Sequence, residues 1–131
     1  MKEVTPAEFQ KTVSEYLIRN RSVLDVMTKL QDAVTRVNRA IAKSVTYCGC
    51  IQIEASKQSI PDDVNIDELA EYVKSHIEGE PCANCRDIIE SEIGNALFYL
   101  AGVSCLLDLD LGKALKKEND RISTLGVYSL T

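Results

Sequence analysis

Apolar residues recur every three or four positions along most of this chain, the spacing of helices that each bury one stripe. The longest stripe runs Val23, Met27, Leu30, Val34, Val37, Ile41, Ser44, Cys48, Ile51, Ala55. Its 4-3-4-3 repeat predicts a long helix over 23–57, with a bend where the periodicity weakens at Gly49. Ahead of it, Thr5-Pro6-Ala7-Glu8 reads as a capping box with proline at the first helical position, opening a helix to about Ile18 inside an N-terminal segment of about 5–20. Ser22-Val23-Leu24-Asp25 restarts the chain with an acid in the first turn, where the helix dipole favours it.

Ser59-Ile60-Pro61-Asp62-Asp63 is a turn, because Pro61 cannot continue a helix. Asn65 to Glu68 resembles a cap for a short helix stopping near Gly79, and Glu80-Pro81 is a second break. The next helix starts near Ala83 or Asn84 and runs to about Leu107, apolar on most of its surface after Glu92. A last helix covers about Leu111–Ser123 and is closed by Gly126, leaving an apolar tail at 127–131. No β alternation, repeat or low-complexity stretch stands out. The pattern predicts one all-α domain over 1–131, a bundle of about five helices.

Composition narrows the function classes. The 131 residues are 45% hydrophobic and 27% charged, enough for a real core. A net charge of −5 and 5% aromatics without tryptophan argue against a grip on duplex nucleic acid or stacking on bases. The start, MKEVTPAEFQ, has no apolar stretch of a secretory signal. The longest uncharged run, Ile93–Leu107, is shorter than the roughly 20 residues of a membrane span. A cytoplasmic protein without membrane insertion is expected. The long seam and the nearly all-apolar helix exceed what one small bundle covers, which predicts a homodimer or higher homo-oligomer.

The helix Glu90-Ser91-Glu92-Ile93-Gly94-Asn95-Ala96-Leu97-Phe98-Tyr99-Leu100 resembles the second motif helix of the MazG-like, all-α nucleoside triphosphate pyrophosphohydrolases, written E-[LI]-G-D before an apolar run. Leu107–Leu111 and Ala114–Arg121 fit the loop and small helix that follow in that family, and the helix over 23–57 takes the place of its first motif helix. The resemblance spans about 20–125. It implies a MazG-like bundle and cleavage of a nucleoside triphosphate to monophosphate and pyrophosphate. Mg²⁺ would be held by carboxylates on adjacent helical turns. By that resemblance Glu92, Asn95 and Glu54 are the catalytic candidates, Glu92 and Glu54 the Mg²⁺ ligands, and Lys116, Asn119 and Arg121 the nucleotide phosphate contacts. The sequence departs from the family pattern: Asn95 replaces an aspartate, and Tyr47 and Cys50 stand where carboxylates are expected.

Five cysteines give a second candidate chemistry. Cys82-Ala83-Asn84-Cys85 follows Pro81 at a loop-to-helix junction, where two thiolates can converge on one Zn²⁺ and the helix N-terminus favours thiolate. Cys48 and Cys50 point about 200° apart on a continuous helix, so both can join only if Gly49 breaks it. By the heptad count Cys48 lies on the core seam and Cys50 on the other side. The sequence therefore allows a zinc site of Cys50, Cys82 and Cys85 with His76 or Cys48 as fourth ligand. Equally, it allows thiols that merely fill space, or a redox pair. Cys105, deep in the apolar helix, is expected in the core. On this alternative the chain is a zinc-binding helical interaction protein without catalysis.

Overall fold

The computed structural model describes residues 2–17 and 21–126. The predicted helix end near Ile18 falls on residues outside these, as does the tail at 127–131. Helix α1, Pro6–Tyr16, begins where the capping box predicts: the Thr5 hydroxyl accepts from Glu8 N, and the Glu8 carboxylate accepts from Thr5 N. Helix α2 is Val23–Lys43, α3 is Ala83–Leu106 and α4 is Leu111–Leu125, capped by the Asp110 carboxylate. The protein is mostly helical, as the pattern implies, with one small two-stranded sheet added.

That sheet corrects the expected long helix over 23–57. After Lys43 the chain widens into a π-turn, Ser44–Cys48, where Gly49 N donates to Ser44 O across five residues. Ser44 is fully buried and its hydroxyl donates to Ile41 O, pulling on the last helical carbonyls. Gly49 then takes a left-handed φ of 82°, a conformation that ends helices. Strand β1, Ile51–Ile53, follows and pairs antiparallel with β2, Ile77–Gly79, in the register Ile51↔Gly79.

The short helix expected from Asn65 to Gly79 is a 3₁₀ segment at Ile66–Glu71 only. Beyond it the backbone finds other partners: Gln58 pairs through its amide with Lys74 N and O, and His76 turns left-handed at φ 63°. Gly79 thus sits in a strand, and its φ of 87° lets the chain pass close under Cys50.

Helices α2 and α3 run antiparallel. At one end Val26 Cγ1 packs 3.5 Å from where a Cβ on Gly102 would stand, and at the other Cys48 meets Cys82. Leu17, just past α1, closes the other side of Gly102. Val13, Leu17, Val26, Ala33 and Ala101 form the core. Gln10 fixes the α3–α4 corner, donating to Leu109 O at 2.6 Å and accepting from Leu111 N at 2.8 Å. There α3 and α4 are bent by 110°.

The α2 seam splits in two. Leu30 and Val37 are half-buried and Ser44 is buried against α3, whereas Met27, Val34 and Ile41 remain 43–55% exposed. On α3 the matching exposed row is Ile93, Leu97 and Leu100. For an antiparallel pair, helical geometry puts both rows on the same face. Among the described residues no single helix is long and apolar enough to cross a membrane.

Candidate metal centre

Four cysteines from two distant parts of the chain meet where α2 ends and α3 begins. The Sγ atoms of Cys48, Cys50, Cys82 and Cys85 all lie within 4.8 Å of one another. All are free thiols. The π-turn and the left-handed Gly49 break the helix between Cys48 and Cys50, which is what lets both side chains reach one point. Strand β1 leads away from the pair, and β2 returns the chain through Glu80 and Pro81 to Cys82. Because β1 and β2 pair in a fixed register, the hairpin sets how closely the two cysteine pairs approach.

Cys82 is the N-cap of α3: its Sγ accepts from Cys85 N at 3.4 Å. Cys85, one turn in, is buried. Cys50 is half-buried and its thiol points to Ser44 O at 3.8 Å, while Cys48 is exposed. Burial of the pair is the reverse of the seam count, which placed Cys48 in the core, because the chain leaves the helix before reaching it. A tetrahedral Zn²⁺ with bonds of about 2.3 Å has S···S edges of about 3.8 Å. Cys48 and Cys82 already stand 3.8 Å apart.

The electrostatics are uneven. The Cys85 N–H lowers the Cys82 pKa to about 7, and the neighbouring Cys85 thiol adds to the effect. Burial, followed by its thiol neighbours, pushes Cys85 up to about 12. For Cys48 the contact with Cys85 lowers the pKa, but Cys82, Cys50 and burial outweigh it and the net shift is upward. The Cys82 thiolate is therefore easily formed, whereas Cys85 and Cys48 resist ionisation until a cation supplies the compensating charge. The four-sulfur cluster is able to hold a metal ion such as zinc.

His76 is not in the cluster. It lies at the far end of the hairpin, half-buried with Nε2 lacking a partner, beside Glu54 in a cavity that Lys74 and Glu78 also line. Cys105 is half-buried, not deep in the core, and its thiol donates to Gln10 O at 3.5 Å. Glu92 faces α2, where Arg36 is held above its ordinary pKa first by a hydrogen bond to Asp32 and further by Glu92. Glu92 Oε2 is buried without a partner, and Asn95 is exposed. On α4, Lys116 pairs with Asp120 at 2.7 Å and Arg121 with Glu118, so both cations already face acids of their own helix; Asn119 is exposed.

A cavity of about 390 Å³ adjoins the cluster, walled by Cys48, Cys85 and Ile88 and rimmed by Arg39, Lys43 and Tyr47. Sequence reading passed over it, although Arg39 and Lys43 are spaced four apart and share a helix face. The chain matches no family model, and neither a curated protein nor a solved structure matches it.

Proposed function

We propose that this protein is a zinc-stapled helical interaction module that works as a homodimer. The observation that carries the reading is the convergence of Cys48, Cys50, Cys82 and Cys85 within 4.8 Å from two ends of a hairpin. Four thiolates around Zn²⁺ make a closed site, which stabilises structure and leaves no open position for chemistry. The staple ties the end of α2 to the start of α3 and so holds the pair antiparallel. The described core is small, and a metal supplements such cores.

The face carrying Met27, Val34, Ile41, Ile93, Leu97 and Leu100 supplies the dimer contact. From Met27 to Ile41 it is about 21 Å long and across the helix pair about 20 Å wide, roughly 400 Å² in projection. That is about half of the ~800 Å² per partner of a standard interface, and two copies related by a twofold axis complete a four-helix bundle. Chelating the metal tests the staple. We expect the melting temperature of the reduced protein to fall with a strong metal chelator and to recover with Zn²⁺; an unchanged melting curve contradicts the reading.

A second reading has one observation in its favour, the partnerless buried oxygen of Glu92. On it the chain is a MazG-like nucleotide-binding protein with weak or lost pyrophosphohydrolase activity and with Glu92 and Asn95 of α3 at a Mg²⁺ site, while Glu54 lines a different cavity beside His76. Pyrophosphate release from nucleoside triphosphates with Mg²⁺, abolished in Glu92→Gln, supports this reading. No release, or release unchanged in that variant, removes it.

A further inference from the structure

The cavity beside the cysteine cluster has the composition of a ligand site rather than of a packing defect. Its volume of about 390 Å³ falls within the range of small-molecule pockets. The inner wall is apolar, formed by Ile88, Ala40, Cys48 and Cys85. The rim carries two cations and no acid. The ion pairs of the described residues are Lys2–Glu8, Arg36–Asp32, Lys116–Asp120 and Arg121–Glu118, and Arg39 and Lys43 belong to none of them.

Arg36, one turn before, shows the contrast: its charge is already engaged by Asp32 at 3.0 Å. Lys43 stands over the Tyr47 ring, 5.6 Å from its centre, so ammonium and aromatic face occur together at the cavity mouth. Lys43 also offsets the C-terminal dipole of α2, but Arg39 lies a turn further in and is left over. Across the cavity, Asn84 lies in the first turn of α3, whose dipole favours negative charge. In a chain of net charge −5, two cations without an acidic partner among the described residues, beside an apolar pocket, select for sign as well as shape.

We propose that this cavity binds a small organic anion: a flat or aliphatic body against Ile88 and Tyr47, with a carboxylate or phosphate between Arg39 and Lys43. The site opens on the opposite side of the α2–α3 pair from Met27, Val34 and Ile41, so a dimer built on that face leaves it accessible. Because Cys48 and Cys85 of the cluster also line it, the site adjoins the metal centre. The site does not depend on dimerisation or on nucleotide chemistry.

The test uses the purified, reduced, metal-loaded protein and NMR titration with 1-naphthoate, 1-naphthyl phosphate and the neutral 1-naphthalenemethanol. Both anions should shift the amide signals of Asn84, Ile88 and Tyr47 saturably, and the tighter of the two identifies the head group. The neutral alcohol should bind at least tenfold more weakly. Arg39→Glu should weaken the anions at least tenfold, and Lys43→Ala several-fold, with an unchanged circular dichroism spectrum. Lys117→Ala on α4 should have no effect. Anion shifts that map elsewhere, equal binding of the neutral analogue, or affinity unaltered in Arg39→Glu overturns the proposal.

Discussion

The Sγ atoms of Cys48 and Cys82 lie 3.8 Å apart although 34 positions separate them in sequence. That separation is too long for a disulfide, whose sulfurs stand about 2.05 Å apart, and matches an edge of a zinc–thiolate tetrahedron. The hairpin between the two residues has three-residue strands, shorter than strands that persist unaided. A metal at the cysteines would supply what the sheet lacks.

Two glycines should respond differently to alanine. A Cβ on Gly79 would stand 2.7 Å from the Cys50 carbonyl oxygen, and its φ of 87° adds strain. At Gly49, φ is 82° but no atom lies within 4 Å. Gly79→Ala should cost about 2–3 kcal/mol and weaken zinc binding, whereas Gly49→Ala should cost about 1–2 kcal/mol, the left-handed penalty alone. Denaturant unfolding with metal titration checks both; equal losses contradict the hairpin register.

Gly102 marks the crossing of α1, α2 and α3. A Cβ there would meet Leu17 and Val26 at 3.5 Å, ordinary contact distance. Gly102→Ala should therefore be neutral or stabilising by up to ~1 kcal/mol through helix propensity. Gly102→Leu should destabilise by roughly 1–3 kcal/mol by overpacking. Thermal melting distinguishes these, and a strongly destabilised alanine variant contradicts the packing.

Thiol reactivity in the metal-free protein should follow the asymmetry at the N-cap. Cys82, lowered to about 7, should be alkylated first at neutral pH, and Cys85, raised to about 12, last. The linkage signs are opposite. Stabilisation by the Cys82 thiolate is complete above its ordinary pKa near 9 and is lost as pH falls through about 7. The contribution of the protonated Cys85 thiol is complete below that ordinary value and is lost as pH rises toward about 12. Iodoacetamide labelling read by peptide mass spectrometry checks the order. Zinc should protect all four cysteines.

The exposed face should make the protein a dimer. Leu97 is 47% exposed and Val34 48%, so a charge at either is tolerated by the monomer but not inside an interface. Leu97→Glu and Val34→Glu should each raise the dimer dissociation constant by about 100-fold or more and keep the helical spectrum. Sedimentation analysis reads the result; a wild type that stays monomeric at high concentration contradicts the assignment.

The sequence announced its helix starts best, because N-caps are local. Thr5 with Glu8 and the break at Pro81 fall where they were expected. The hairpin escaped because Ile51-Gln52-Ile53 is too short for a visible alternation, and its partner, Ile77–Gly79, lies beyond an intervening 3₁₀ turn. The apolar repeat also ran on through Cys48 and Ile51, hiding the point where the helix stops. Gly49 was the one clue to that break, and on it depended whether Cys48 and Cys50 share a site. Which half of the α2 seam faces α3 was not legible either, since Leu30 and Val34 are equally apolar and only packing tells them apart.

Native mass spectrometry of the reduced protein loaded with Zn²⁺ tests the staple most directly. The account predicts one tightly held zinc per chain, lost in the double variant Cys48→Ser, Cys82→Ser and unaffected by Cys105→Ser. A protein that holds no stoichiometric zinc, or a double variant that holds it as tightly as wild type, contradicts it.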